Sequence, residues 1–352
     1  MNNLKVLFFS SWFDNPYKTL LIKNLNIQGV EVDEHKVNRF FLFKALQVRG
    51  LDVIHFHEIP LPLAWHNQVV HALKFIAFIV QIFILKRLGV KIVWTVHEWD
   101  QKLSSRKVNF NPLYARIFGS CFDAFIIHCE TAKKNLVREL GDRVSHRAHV
   151  IHHGNYMDWY ENVITPSEAR RSLNIANDDF VFLLFGSIYP HKGVLEAIAA
   201  FQKLQHDKTT LLLVGSVKSE ALKKTIEDNI KDSSNIRLIA ERIEDDDVQK
   251  YMNANDCVLV PYKVFTTSGV AILAMSFDRV CIAPKVGFFD DLLDDSGAFF
   301  YNPDEANGLF QAMATALSNR SALTSMGKHN HKLAKQWDWH YVAQKTLKVY
   351  QS

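Results

Sequence analysis

Short apolar runs alternate with helical stretches along this chain, and the pattern runs through twice. Lys5–Ser10, Val53–Phe56, Val90–Val96 and Phe122–His128 read as buried strands. Helical stretches lie between them, notably Ala64–Leu88 and Thr131–Leu140. Such alternation predicts a parallel sheet with helices on both faces. After residues 151–166 the pattern restarts. Phe180–Phe185, Leu211–Val214, Ile236–Ile239, Cys257–Val260, Val280–Ala283 and Ala298–Tyr301 then read as the strands of a second doubly wound sheet. The joint carries helix-start chemistry in Thr165-Pro166, with Ser167, Arg170 and Arg171 opening a short helix. The expected organisation of the 352 residues is α/β: two Rossmann-like doubly wound domains, 1–160 and 161–336, facing across a cleft. A closing helix, 337–352, packs back on the first domain through Trp339, Val342, Leu347 and Tyr350. Open α/β sheets bind ligands at the carboxyl ends of their strands, so those ends are where function is sought.

One strand end stands out, Phe185-Gly186-Ser187-Ile188-Tyr189-Pro190-His191-Lys192-Gly193. Small residues follow the strand, and Gly193 opens an amphipathic helix, Val194–Leu204. Free backbone N–H groups, a helix dipole and one lysine there suit a phosphate or diphosphate. The alternative is an ordinary βα loop with a solvated lysine. A second loop, Pro261 to Gly269, follows the strand Cys257–Val260 and leads into an apolar helix, Val270–Phe277. Its Thr266-Thr267-Ser268-Gly269 run offers hydroxyls and N–H groups together, or simple capping. No G-x-x-x-x-G-K-[ST] occurs, and no G-x-G-x-x-G follows the first strand, so P-loop and dinucleotide chemistry are excluded.

The chain is 48% hydrophobic and 22% charged, as expected of a soluble protein with sizeable cores. Cys121, Cys129, Cys257 and Cys281 are scattered, which fits free buried thiols in a reducing cytoplasm. The start runs directly into a strand, without a signal-peptide layout. Residues 1–160 carry a net charge of +7 and the remainder −3. A basic first half suits an anionic membrane surface or an anionic acceptor, and no nucleic-acid motif is present. The uncharged run Phe75–Leu85 is too short to cross a bilayer, which needs about 20 residues. It reads as a buried helix, with an interfacial helix touching lipid as the other reading.

Polar residues cluster at the strand ends of the first half. Ser10, Ser11, Asp14 and Asn15 follow the first strand, and His55, His57 and Glu58 a second. His97, Glu98, Trp99 and Asp100 follow a third, and Glu130 and Thr131 a fourth. Four such ends are more than a core needs. His55-x-His57 with Glu58 and His97 could chelate a cation, but Glu58 leaves their face, and no metal is expected. The triple acid Asp245-Asp246-Asp247 fits the first turn of a helix better than a metal site.

In order and spacing these pieces resemble the two-domain GT-B glycosyltransferases of family 4, the type used in bacterial envelope and exopolysaccharide assembly. Cyanobacterial exopolysaccharide and heterocyst-type transferases look nearest. The resemblance covers nearly the whole chain. Its pieces are Asp14-Asn15-Pro16-Tyr17, Val53 to His57, Trp94 to Glu98, Val150 to Tyr156, Gly186 to Gly193, and Thr267-Ser268-Gly269 with Leu273 to Ser276.

The resemblance implies that Gly186, Ser187 and Lys192 hold a donor diphosphate with the Thr266–Gly269 loop. It implies that His97 orients the transferred sugar, making His97 and Lys192 the catalytic pair, and that Arg242 and Ile243 flank the nucleobase. On the acceptor or cleft side it places Ser11, Asn15, Tyr17, His57, Glu58, Glu98, His153 and Gly154. Phe265 and Leu273 stand where the family usually has two glutamates, and Ser187 where it often has an arginine.

The implied activity is hexosyl transfer from a nucleotide sugar, first choice UDP-glucose, to a growing oligosaccharide or lipid-linked acceptor. It would be retaining and metal-independent, with no cofactor beyond the nucleotide sugar, in the cytoplasm or peripheral at the inner membrane. A GDP-mannose-dependent mannosyltransferase, a UDP-sugar epimerase and a non-catalytic scaffold of the same fold are the alternatives.

Overall fold

A computed structural model describes residues 3–11, 15–59, 68–97 and 112–352 of the protein. The chain forms two compact units. The first gathers Met1–Gly154, Phe265–Thr267 and Asp338–Ser352, and the second Asn155–Val264 and Ser268–Trp337.

The first unit holds strands β1 (Leu4–Phe9), β2 (Val30–His35), β3 (Val53–Phe56), β4 (Lys91–Thr95), β5 (Ala124–Ile127) and β6 (Ala148–Val150). They pair in the order β2-β1-β3-β4-β5-β6, all parallel. The order reverses between β1 and β3, which makes that gap the switch point of the sheet. The second unit holds β7 (Phe180–Phe185), β8 (Thr209–Val214), β9 (Ile236–Ile239), β10 (Cys257–Leu259), β11 (Val280–Pro284) and β12 (Ala298–Tyr301). Their order is β12-β11-β10-β7-β8-β9, and the switch point falls between β7 and β10. The inner strands β3, β5, β8, β10 and β11 are buried along their whole length because helices cover both faces of a parallel sheet, while the edge strands β9 and β12 are half-buried past their first residue.

Two strands went unread in the sequence. β2, Val30-Glu31-Val32-Asp33-Glu34-His35, is an edge strand with its polar side chains largely exposed, so no apolar run marks it. β6 is an edge strand of three residues, too short to show a period.

The expected buried helix over Phe75–Leu85 is corrected. Within the helix Gln68–Arg87, Phe75, Phe78, Ile82 and Leu85 are buried, but Leu73, Ile76, Val80 and Phe83 are exposed. A helix lying on one face of a sheet covers that sheet with one stripe only, and apolar residues around the rest of its surface stay outside. The expected residues Ala64–Asn67 of that stretch lie outside the described residues.

The last helix, Trp339–Gln351, belongs to the first unit and is capped by Asp338, whose carboxylate accepts from the Tyr341 N–H at 2.7 Å. Gln28 donates to the His340 carbonyl at 2.9 Å, and Lys91 to the Val349 carbonyl at 2.7 Å. Trp339, Val342, Ala343, Thr346, Val349 and Tyr350 are its buried residues, while Leu347 is only half-buried. The Trp339 indole lies flat against Gly154, where a Cβ would come within 2.5 Å of the ring.

Candidate functional site

In the second unit, the loops leaving β7 and β10 are the pair that flanks the switch point. They interlock. Gly193 is left-handed (φ 72°), and a Cβ there would lie 2.0 Å from the Pro261 carbonyl oxygen. The Lys263 N–H donates to the His191 carbonyl at 2.9 Å. The Lys192 ammonium sits 3.7 Å above the centre of the Tyr262 ring, a cation–π contact that aims it without neutralising it. Lys192 makes no ion pair among the described residues. Its neighbour Lys263 does, with Glu196.

The helix Val194–Gln202 begins directly after Gly193, and no side chain caps it. Its first N–H groups are therefore open beside one unpaired ammonium, a ready anion site. Gly186 is also left-handed (φ 92°), and its carbonyl backs onto Gly215, where a Cβ would clash at 2.0 Å. A second strand–glycine pair thus packs under the first. The repeated Val214-Gly215-Ser216 after β8 was the sequence signal for it.

Of the Thr266–Gly269 run, Ser268 is the helix cap and accepts from the Ala271 N–H at 3.3 Å. Thr266 is buried. Thr267 Oγ1 is buried with no hydrogen-bond partner among the described residues. Gly269 admits Tyr156, whose hydroxyl would be 2.9 Å from a Cβ. Leu273 is 4% exposed inside the helix Gly269–Ser276. Arg242 and Ile243 lie in the loop after β9, exposed and half-buried respectively, and Ser187 is exposed at the end of β7. Two carboxylates of the triple acid are engaged by protein. Asp245 accepts from the Trp159 indole at 2.8 Å, and Asp247 pairs with Lys250 instead of capping the helix Val248–Ala254.

In the first unit the strand ends form a buried histidine row. His128 Nδ1 faces the Ile151 carbonyl at 2.9 Å. A carbonyl only accepts, so His128 carries its proton on Nδ1. Burial pushes His128 down to about 4, so it is neutral near pH 7 and its Nε2 accepts. His97 Nδ1, 3.3 Å away, must donate to it. His97 Nε2 then accepts from His57 Nδ1 at 3.1 Å. Burial, with the neighbouring histidines, also holds His57 and His97 well below the usual imidazole range. One carbonyl therefore sets three tautomers in series.

Tyr17 fills the centre of this row, with ring centroids 5.1 Å from His57, 5.0 Å from His97, 5.4 Å from His128 and 4.8 Å from His153. Its hydroxyl is buried with no hydrogen-bond partner among the described residues. His55 is closed off between Tyr350 Oη at 2.5 Å and Thr95 Oγ1 at 2.6 Å. Glu58 reaches across the switch point and accepts from the Ser11 N–H at 3.1 Å.

The structure thus gathers His57, His97, His153, Tyr17, Ser11 and Glu58 at one sheet edge. It gives other work to two residues of the same set: Asn15 caps the helix Pro16–Ile27 through the Tyr17 N–H (2.9 Å), and Gly154 makes room for Trp339. Asp14, Glu98, Trp99 and Asp100 lie outside the described residues. His128 was read only as the end of a strand. Its weight comes from the Ile151 carbonyl on the neighbouring strand end, which no local pattern announces. Among the described residues no group of three or more His, Cys, Asp or Glu side chains is arranged to hold a metal ion. The four cysteines are buried and form no disulfide.

Residues 179–319 match the family described as Glycosyl transferases group 1. A relative from Xanthomonas campestris pv. campestris, GDP-mannose:glycolipid 4-beta-D-mannosyltransferase, is 26% identical over 134 residues, 38% of this chain and 36% of that protein. The chain thus spans about a third of the length of that curated relative. Among solved structures, sucrose-phosphate synthase from Thermosynechococcus elongatus superposes with a TM-score of 0.79 at 17% identity, covering 99% of this chain and 98% of that one. Anabaena HepE in complex with UDP and glucose superposes with a TM-score of 0.75 at 17% identity, covering 98% of each chain. At this identity the likenesses establish the fold. The matched segment holds both interlocked loops of the second unit. The protein has the two-sheet fold seen in the GT-B glycosyltransferases, and its residues 179–319 match the glycosyl transferases group 1 family.

Proposed function

We propose that this chain is a hexosyltransferase whose second unit binds the diphosphate of a nucleotide sugar and whose first unit binds the acceptor. The observation that carries the reading is Lys192, an ammonium with no ion pair among the described residues, beside the uncapped helix Val194–Gln202 and locked against the β10 loop by Gly193. Transfer leaves a nucleoside diphosphate, so negative charge grows where Lys192 and the helix N–H groups converge. Those groups are fixed before the reaction, which is what lowers the barrier. His97 orients the sugar. In the row described, its two ring nitrogens are bound to His57 and His128, so a sugar hydroxyl reaches it only by displacing the His57 N–H.

UDP-glucose is the first-choice donor, supported by a solved relative in the fold that holds UDP and glucose. The acceptor is a growing oligosaccharide or a lipid-linked saccharide, with retention of configuration and no metal. GDP-mannose is the second reading, favoured by the mannosyltransferase relative.

The test is metal-free calorimetry with UDP-glucose and GDP-mannose, wild type against Lys192→Ala. Micromolar binding of one donor is expected, weakened at least about tenfold in the variant, which is about 1.4 kcal/mol. Equal binding by wild type and variant refutes the diphosphate assignment.

A further inference from the structure

Two arrangements of protons satisfy the inner bonds of the histidine row. In one, His57 Nδ1 donates to His97 Nε2 and His97 Nδ1 to His128 Nε2; in the other, both bonds run the opposite way. Burial keeps the three rings neutral, so each has one donor and one acceptor, and neither arrangement loses a bond inside the row. The choice is made at the far end. Ile151 presents a carbonyl oxygen, which only accepts, 2.9 Å from His128 Nδ1. The Ile151 N–H donates to the Ile127 carbonyl at 2.8 Å, so the strand end that carries this oxygen is tied to the residue before His128.

His128 is buried, with ring centroids 5.0 Å from His97, 5.4 Å from Tyr17 and 5.7 Å from His153. Both of its nitrogens are engaged, Nδ1 by Ile151 and Nε2 by His97. Neither is left for a ligand, so whatever His128 does for one is done through His97. At the other end of the row, His57 Nε2 is a lone pair with no hydrogen-bond partner among the described residues. With the row reversed, the same atom would carry a proton. The Ile151 carbonyl therefore determines whether the row meets a ligand as an acceptor or as a donor.

We propose that His128 is a positioning residue: it passes the direction set by the Ile151 carbonyl to His97 and His57, and so fixes Nε2 of both as hydrogen-bond acceptors. The proposal rests on the reading in which His97 orients the sugar, and it adds the chemical class of the group taken there. That group is a hydroxyl, which can donate. A carbonyl or carboxylate at the same place would set lone pair against lone pair and leave the acceptor unsatisfied.

The test compares the full-length wild type with His128→Asn and His128→Gln. The Asn amide sits where Nδ1 does, so it can still donate to the Ile151 carbonyl but does not reach His97. The longer Gln amide can donate to Ile151 and turn its oxygen to the His97 N–H. Both variants keep a polar group in the buried place, which separates the link to His97 from folding. Three quantities are read: the nitrogen-15 shifts of His97, UDP affinity by calorimetry, and kcat/KM for consumption of UDP-glucose or GDP-mannose, whichever wild type binds. In His128→Asn, His97 is expected to gain an Nε2 proton and kcat/KM to fall at least about tenfold. In His128→Gln, His97 is expected to keep its Nδ1 proton and kcat/KM to stay within about threefold of wild type. UDP affinity is expected to be the same in all three, since the diphosphate is assigned to the second unit. The proposal is overturned if kcat/KM falls in a variant whose His97 keeps its Nδ1 proton, for then His128 is merely structural. It is equally overturned if kcat/KM is at the wild-type level where His97 has lost that proton, or if both variants match wild type. A wild type that binds neither UDP nor either donor refutes the transferase reading instead, before any variant is compared.

Discussion

Replacing Gly193 by alanine tests whether the two loops at the switch point of the second unit act as one device. The substitution has two separable effects. The first is local: an L-residue in the left-handed region, at the observed φ of 72°, costs roughly 1 kcal/mol. The second is a collision. The new Cβ would lie 2.0 Å from the Pro261 carbonyl oxygen, while ordinary contact begins at 3.4 Å, so the loops must part by about 1.4 Å. That breaks the His191–Lys263 backbone bond, worth about 1 kcal/mol, and lifts Lys192 from the Tyr262 ring, worth about another 0.5–1 kcal/mol. The total is about 3 kcal/mol.

Gly29→Ala is the matched control, because φ is 82° there and nothing lies within 4 Å. For units of this size 1 kcal/mol corresponds to roughly 2–4 °C, so Tm should fall by about 3 °C in the control and about 9 °C in Gly193→Ala. A misplacement of about 1 Å is enough to lower transfer about a hundredfold. Calorimetry with UDP should accordingly show at least a tenfold loss for Gly193→Ala, and none for Gly29→Ala. If the two variants melt alike and both bind UDP as wild type does, the loops are not interlocked and the site assignment fails with them.

Three further outcomes are expected. Nitrogen-15 imidazole shifts at neutral pH should show His57, His97 and His128 all protonated on Nδ1, and an Nε2 proton on His97 would refute the series set by Ile151. The first unit should lose stability in mild acid. Burial holds His128 at about 4 and His55 and His153 at about 3, below the unfolded value near 6.5, so the unfolded chain binds more protons and stability falls as pH drops from about 6.5, by about 2 kcal/mol per histidine at pH 5. Denaturant midpoints that do not change between pH 7 and pH 5 would contradict this. Leu273→Ala should destabilise the second unit by about 2–4 kcal/mol while leaving UDP affinity unchanged, since Leu273 is core; a selective loss of affinity with unchanged stability would place it at the ligand instead.

What the sequence revealed follows from the range of the forces involved. A strand buried on both faces has to be apolar throughout, so the inner strand β7 was legible to the residue, while the exposed edge strand β2 was not. Asn15 and Ser268 were legible as polar residues at element ends, yet capping a helix is the work the structure shows for each. Tyr17 has an apolar body on an inward helix face, and nothing in its neighbours along the chain reveals that four imidazoles surround it. Gly193 shows the limit most plainly. Its place at a helix start was visible, but the reason it must be glycine is a carbonyl 68 positions later in the chain.

The same distinction relocates the basicity of the first half. A net charge of +7 on residues 1–160 suggested an anionic membrane surface or an anionic acceptor. The described histidines of that edge are neutral, because burial outweighs any gain from protonation in so tight a group. Lys18, also buried in this unit, is paired with Glu34. The side chains described at the edge therefore offer uncharged donors and acceptors, which under the proposed function would meet sugar hydroxyls and not an anion. Five of the cations of the first unit, Lys44, Lys74, Lys86, Arg87 and Arg116, stand instead on the helices Phe41–Gln47, Gln68–Arg87 and Pro112–Ser120, beside exposed apolar side chains. Substitutions on those helices should leave donor affinity unchanged, and substitutions in the histidine row should lower transfer. A variant on those helices that changed UDP affinity would show that this division is wrong.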